Sequence, residues 1–330
     1  MQTHCHTKQQ IRLIKVLLLL TALATGVIAV LIGSVKVDLF NMTQTEQDIL
    51  LYVRAPRVLL AGLVGAALAA SGGLFQYVMK NPLADSFTTG VSASSALGAV
   101  LAITLGLGPV IPAFAIIGGL AGLNLVYRIA SDNDGRVQPV TMLLAGIAMN
   151  VFCSAAISFM KFLSDDAVSS IVFWLMGGFQ AASFYKVIVL TVVLLASFLS
   201  MGRDFLSLDI LCFDDTTAQS SGIDVSRLRI KVFLIASLLT AFSVAYAGII
   251  GFVGLIVPHV LRLIRFVKAE ELLPMSLLVG AAFMMANDLI ARTILPQGQE
   301  LPVGIITSTL GGLFFLYLLL KRKKELYYFD

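Results

Sequence analysis

Arg54 and Arg57 stand three residues apart, and Arg292 follows Asp288 by four. A guanidinium stays charged at any physiological pH and takes a carboxylate through two parallel hydrogen bonds, so arginines at such spacings either bind acids or pair with them. An Asp288–Arg292 pair on one helical face is the simplest use of the second set. Other groups with chemical potential are scattered. His4-Cys5-His6 has metal-ligand types, but a flexible tail is expected there. His259 is isolated in an apolar stretch and reads as structural. No Gly-Lys pair occurs, which removes the P-loop, and H-E-x-x-H is missing. Gly90-Val-Ser-Ala-Ser94 lacks the second glycine of a nucleophile elbow. No catalytic residue, metal site or cofactor of its own is expected, so the chain is not read as an enzyme.

The elements that must position these groups are set by composition. The 330 residues are 58% hydrophobic and only 13% charged, and the mean hydropathy is +0.94. Soluble chains have about 45–50% apolar and about 25% charged residues, so this one cannot cover a water-exposed globule. Its apolar runs are continuous rather than alternating, which excludes an outer-membrane barrel. The fold class is an all-α integral membrane bundle, one domain over 1–330, with about ten spans of about 20 residues.

The runs place these spans at 16–35, 58–79, 88–107, 109–128, 140–160, 184–201, 229–248, 253–266, 274–291 and 303–320. Lys8, Arg12 and Lys15 precede the first run, which is longer than the about 7–15 apolar residues of a secretion signal. The eighth is too short to cross unaided, and Gly248, Gly251, Gly254 and Pro258 mark it as broken or re-entrant. Gly65, Ala69 and Gly73 share one helical face, as do Gly118 and Gly122, the spacing that lets helix backbones approach closely in lipid.

Ten spans put both termini on one side. If that side is the cytoplasm, only Lys36, Arg54, Arg57, Lys161, Lys186 and Arg292 of the 23 Lys and Arg face outward, as the positive-inside rule requires. The net charge of +4 then belongs to inner loops rather than to a nucleic-acid surface. Three widely spaced cysteines imply no disulfide framework. One inner segment, 203–229, is long and polar. Asp214 to Gly222 within it reads as a short helix, with an acid at its start and a glycine at its stop. Composition leaves open whether this segment is a solvated linker or a docking platform.

Local sequences then become specific. Arg54-Ala-Pro-Arg57, Gly65-Ala-Ala-Leu-Ala-Ala-Ser-Gly72, Gln76 and Asn81-Pro-Leu-Ala84 resemble the opening signature of the iron-chelate and cobalamin uptake permeases of ABC importers. Leu144-Ala-Gly146, Trp174-Leu-Met-Gly-Gly178 and the element ending at Gly222 continue it. Gly251-Phe-Val-Gly-Leu-Ile-Val-Pro-His259, Arg262, Asp288, Ala291-Arg292 and Leu301-Pro-Val-Gly304 close it. The blocks run in family order from about residue 50 to 320.

The resemblance implies a permease subunit in the bacterial cytoplasmic membrane, with both termini cytoplasmic. It pairs with a second permease subunit, binds cytoplasmic ATPase subunits that hold the ATP, and receives cargo from an extracytoplasmic binding protein. It assigns Arg54, Arg57 and Arg292 to binding-protein docking and Asn81 and Leu83 to a cytoplasmic gate, although Pro82 alone accounts for a turn there. Asp214, Asp215, Ala218 and Gly222 match the ATPase-coupling element, where a small residue would let the short helix lie in a groove of the ATPase, and 203–229 becomes the coupling loop. Asp214 and Ser221 depart from the usual Gly and Leu, and Gly311-Gly-Leu-Phe departs from the usual Gly-Ala-Pro-Phe. Met149, Asn150 and Met160 are candidates to line the path. A ferric siderophore is the expected cargo, with haem and cobalamin as alternatives. An ion-coupled secondary transporter and a channel or scaffold remain the rival classes; few titratable residues lie in the spans to serve the former.

Overall fold

Pro56 has no N–H to return to the carbonyl four residues earlier, and its ring crowds that carbonyl, so a helix passing through it must open locally. In the computed structural model the opening is a π-helical stretch, Ile49–Arg54, joining α2 (Gln44–Asp48) to α3 (Ala55–Met79). The Ala55 N–H reaches the Leu50 carbonyl, one residue beyond its α-helical partner. Thr43 caps the start of α2, and Glu46 returns the bond to the Thr43 N–H at 2.8 Å.

The structure describes residues 2–33, 38, 42–131, 137–164, 167–296 and 299–326, and within these the side chains from 10 to 320. Lys36 and Arg136 lie outside the described residues, as do the side chains of His4, Cys5, His6, Lys8 and the basic run 321–324.

The remaining helices are α1 (Gln2–Leu31), α4 (Val91–Thr104), α5 (Ile111–Ala130), α6 (Pro139–Leu163), α7 (Val168–Leu175), α8 (Phe184–Met201), α9 (Phe205–Phe213), α10 (Asp215–Ser220), α11 (Val225–Ala247), α12 (Val253–Leu263), α13 (Ala269–Thr293) and α14 (Val303–Leu326). Among the described residues the only β-type pairing is one isolated bridge, Ser131 to Val137.

Among the described residues, eight helical segments are long and apolar enough to cross a membrane, and α4 and α12 are shorter apolar helices. The ten expected crossing elements are present, with two shortened. At 14 and 11 residues, α4 and α12 fall short of the about 20 residues that a full crossing needs. The expected tail is also corrected, since the backbone is helical from Gln2.

The bundle is built around α3. Of the most apolar window of Gln44–Met79, 89% is buried, against 11% for that of α1. The reason is side-chain size. A Cβ at Gly65 would collide with the Gly280 carbonyl of α13, and one at Gly72 would collide with Gly254 of α12. The same logic brings Gly118 and Gly122 of α5 against Ser94 and Gly98 of α4.

The direction of each helix follows from its contacts. Lys15 of α1 pairs with Glu271 at the start of α13 at 2.7 Å, whereas the Leu301 N–H, just before α14, bonds to the Ala291 carbonyl near the end of α13. Residues 10 and 320 therefore lie at the same end of the bundle, the end where α3 finishes at Lys80.

Candidate functional site

Two clusters of polar residues sit at opposite ends of α3. At its start, Arg54, Arg57, Asp288 and Arg292 converge, all with 7% or less of their surface exposed. Arg57 Nε donates to Asp288 Oδ1 at 3.0 Å, and its Nη1 reaches Glu300 Oε2 at 2.8 Å. Arg292 Nε lies 3.0 Å from Asp288 Oδ2. The C-terminal carbonyls of α1 hold the rest: Arg54 Nη1 donates to Leu31 at 2.8 Å and Arg292 Nη2 to Ala29 at 2.9 Å. Those carbonyls carry the negative end of the helix dipole, which suits a guanidinium.

The three arginines expected to dock a partner are held here by groups of this chain. They are brought together, but turned inward. Asp288 proves to be shared between Arg57 and Arg292, where spacing alone suggested Arg292 only.

At the other end, α3 stops because Lys80 takes a left-handed conformation, φ 50°, and Pro82 cannot continue the helix. Asn81 Oδ1 accepts the Leu83 N–H at 2.9 Å, and the Asn81 carbonyl accepts the Ala84 N–H at 3.1 Å. The turn is locked by its own side chain, with Leu83 exposed. The buried Asp85 behind it accepts the Phe87 and Thr88 N–H groups, and burial pushes its carboxyl above the usual range. Gln76, whose amide donates to the Gly254 carbonyl at 2.9 Å, also pairs with Arg262 of α12. A cavity of about 650 Å³ opens here, lined by Tyr77, Lys80, Asn81, Asp209 and Arg262 among others.

The expected short helix is present as α10. Asp214 caps it, accepting the Thr217 N–H, and the hydrogen bond from the Thr216 hydroxyl holds its carboxyl below the usual range. Gly222, φ 81°, closes the element. Ala218 is fully buried, so its small side chain lets α10 sit against this chain's own α9 and α11. The exposed positions are Thr216, Thr217, Gln219 and Ser220.

With this geometry in hand, the comparisons are decisive. The FecCD transport family matches residues 14–321. The chain belongs to that family. It is 40% identical over 290 residues to the cobalamin import system permease protein BtuC of Halobacterium salinarum, covering 86% of this chain and 76% of that one. It is 33% identical over 322 residues to the hemin transport system permease protein HmuU of Yersinia pestis, covering 94% and 95%. Among solved structures, an inward-facing metal-chelate type ABC transporter superposes with a TM-score of 0.84 at 32% identity, covering 92% of this chain and 97% of that one. This FecCD-family chain is thus a multi-pass membrane permease subunit of an ABC importer, not an enzyme.

Within the FecCD-family bundle, the path candidates separate. Met149 is buried against Gly90. Asn150 is half-buried and donates to the Phe87 carbonyl. Met160 is half-buried beside the Ile157–Ile171 cluster. His259 of α12 packs edge-on against Phe314 of α14, ring centroids 5.6 Å apart, in keeping with a structural role. Gly311 lies where any Cβ would strike the Phe252 side chain, and Leu313 stands at the position of the family proline.

Sequence reasoning did not find Glu300, Lys80 or Arg229 in this FecCD-family chain. Their partners are 243, 135 and 14 residues away, and no periodicity within one helix signals such pairs.

Proposed function

We propose that this chain is the membrane subunit of an ATP-driven importer that moves an intact metal chelate, foremost a ferric siderophore, from an external binding protein into the bacterial cytoplasm. The observation that carries this reading is the superposition over nearly the whole chain on a metal-chelate transporter. Two cytoplasmic ATPase subunits and a second permease subunit complete the assembly.

The Lys80 end faces the cytoplasm, as the distribution of Lys and Arg favours, and both termini lie there. Asp214 to Gly222 forms the coupling element and Asn81 to Leu83 the gate. The binding protein docks at the opposite end, where its carboxylates compete with Asp288 and Glu300 for Arg57 and Arg292 and with the α1 carbonyls for Arg54. ATP can shift the gate only if the ATPase grips α10 differently in two states, since equal affinity for both shifts nothing.

Cobalamin is the second reading, supported by the 40% identity to a cobalamin permease. Reconstitution in proteoliposomes with ATP inside and labelled ferric siderophore, haem or cobalamin outside separates the readings. ATP-dependent uptake of the siderophore is expected. Uptake of cobalamin alone selects the second reading, and uptake driven by a proton gradient without ATP overturns both.

A further inference from the structure

One oxygen atom ties the short helix to the turn that ends α3. Asp215 Oδ1 accepts Lys80 Nζ at 2.8 Å and Arg229 Nη2 at 2.9 Å. Lys80 is the residue immediately before Asn81, and its own N–H is bonded back to the Gln76 and Tyr77 carbonyls. A pull on its ammonium is therefore delivered to the first residue of the locked turn.

Arg229 belongs to α11 and is nearly buried, its side chain 6% exposed. Among the described residues Asp215 is the only carboxylate paired with it. Its Nη1 donates at 3.1 Å to the Val137 carbonyl, just before α6. From the far side, α6 returns to the same segment through Asn150 and the Phe87 carbonyl. The carboxylate thus joins α10 to the start of the 81–90 segment through Lys80 and to the residues before α6 through Arg229.

The electrostatics give the arrangement a direction. Lys80 and Arg229 repel each other and are held together by the charge between them. The Lys80–Asp215 pair, with side chains 27% and 38% exposed, adds little to folding. Three charges that span three elements constrain their relative motion instead, so when α10 moves, both cations must follow or the contact must break.

We infer that Asp215 is a positioning residue that transmits movement of α10 to the Asn81–Leu83 turn by holding Lys80 and Arg229 on one carboxylate oxygen. This rests on the proposed function in one respect, that an ATPase moves α10.

The test uses the full complex with its ATPase subunits. A Leu83→Cys reporter, in a background with the native cysteines replaced by serine, carries an environment-sensitive fluorophore, and ATP is added without cargo. An ATP-induced change is expected in the parent and in Lys80→Arg, which keeps the charge. It is expected to be lost in Lys80→Gln while hydrolysis continues. Asp215→Asn should lose it too, and the double variant should be no worse than either single one, the signature of groups acting as a unit.

A full response in Lys80→Gln overturns the inference, as do additive losses in the double variant. No response in the parent also overturns it. Because no cargo is present, a complex that imports none of the three chelates refutes the cargo reading and leaves this test standing.

Discussion

Arg57 and Asp288, 231 residues apart in sequence, close α3 onto α13 through an ion pair of 2.9 Å from which water is almost excluded. Asp288 is fully buried between Arg57 and Arg292. Removing one member of such a set leaves charge buried without a partner, which costs more than the intact pair contributes. Asp288→Ala, leaving two guanidiniums short of a carboxylate, should destabilise the chain by about 3–5 kcal/mol. Thermal unfolding in detergent is the measurement, and a midpoint unchanged from the parent contradicts the buried network.

Glu300 is the exposed member of that network, its side chain 24% accessible. Glu300→Gln should leave the bundle folded and free Arg57 for an external carboxylate. Affinity for the binding protein, read by surface plasmon resonance on nanodiscs, is expected to rise. A fall would place Glu300 among the docking contacts instead.

Gly65 and Gly280 let α3 and α13 meet backbone to backbone. Gly65→Leu forces them apart, and overpacking of this kind costs about 1–3 kcal/mol or more. Loss of the folded fraction in size-exclusion chromatography is expected. Gly312→Leu, where a Cβ meets open space, serves as the tolerated control.

Gly222 has a different reason to be glycine. Its surroundings are open, but its φ of 81° is one that side chains with a Cβ rarely adopt. Gly222→Val adds about 1–2 kcal/mol of backbone strain at the stop of α10, more for a β-branched residue. Uptake in proteoliposomes should drop while the ATPase still hydrolyses ATP. Unchanged uptake would remove this glycine from the coupling element.

The Cys212 side chain is exposed along part of its surface, but its thiol donates to the Tyr77 carbonyl at 3.6 Å, and desolvation around the sulfur pushes its pKa up to about 11. Only the thiolate alkylates readily. In a Cys5→Ser, Cys153→Ser background, Cys212 should react with iodoacetamide far more slowly than free cysteine at pH 8. The rate should climb steadily as pH approaches 11. Mass spectrometry of the labelled fraction against pH checks this, and a rate that levels off near pH 9 contradicts it.

The crossing elements were legible because each depends on local composition. Phe184–Met201 begins and ends where the apolar run does, and the small residues Gly65, Ala69, Gly118 and Gly122 announced their helix contacts. The α10 element was legible for the same reason, since Asp214 and Gly222 are end signals carried within nine residues. The opening before Pro56 was not anticipated. Its proline was visible, but whether the chain answers with a break or a π-turn depends on what α1 and α13 pack against that end.

By itself, then, the sequence determined a membrane bundle of about ten crossing elements, because hydrophobic length, caps and turns are properties of consecutive residues; that it is a permease rested on the family resemblance of its motifs. Only the tertiary structure decided which charges meet. Asp288 serves Arg57 as well as Arg292, Ala218 faces inward, Met149 is buried, and Asp215 holds Lys80 and Arg229. Each of these follows from helices brought side by side. Once helices are packed together, a charge takes the partner that packing places within reach, not the one its spacing suggests.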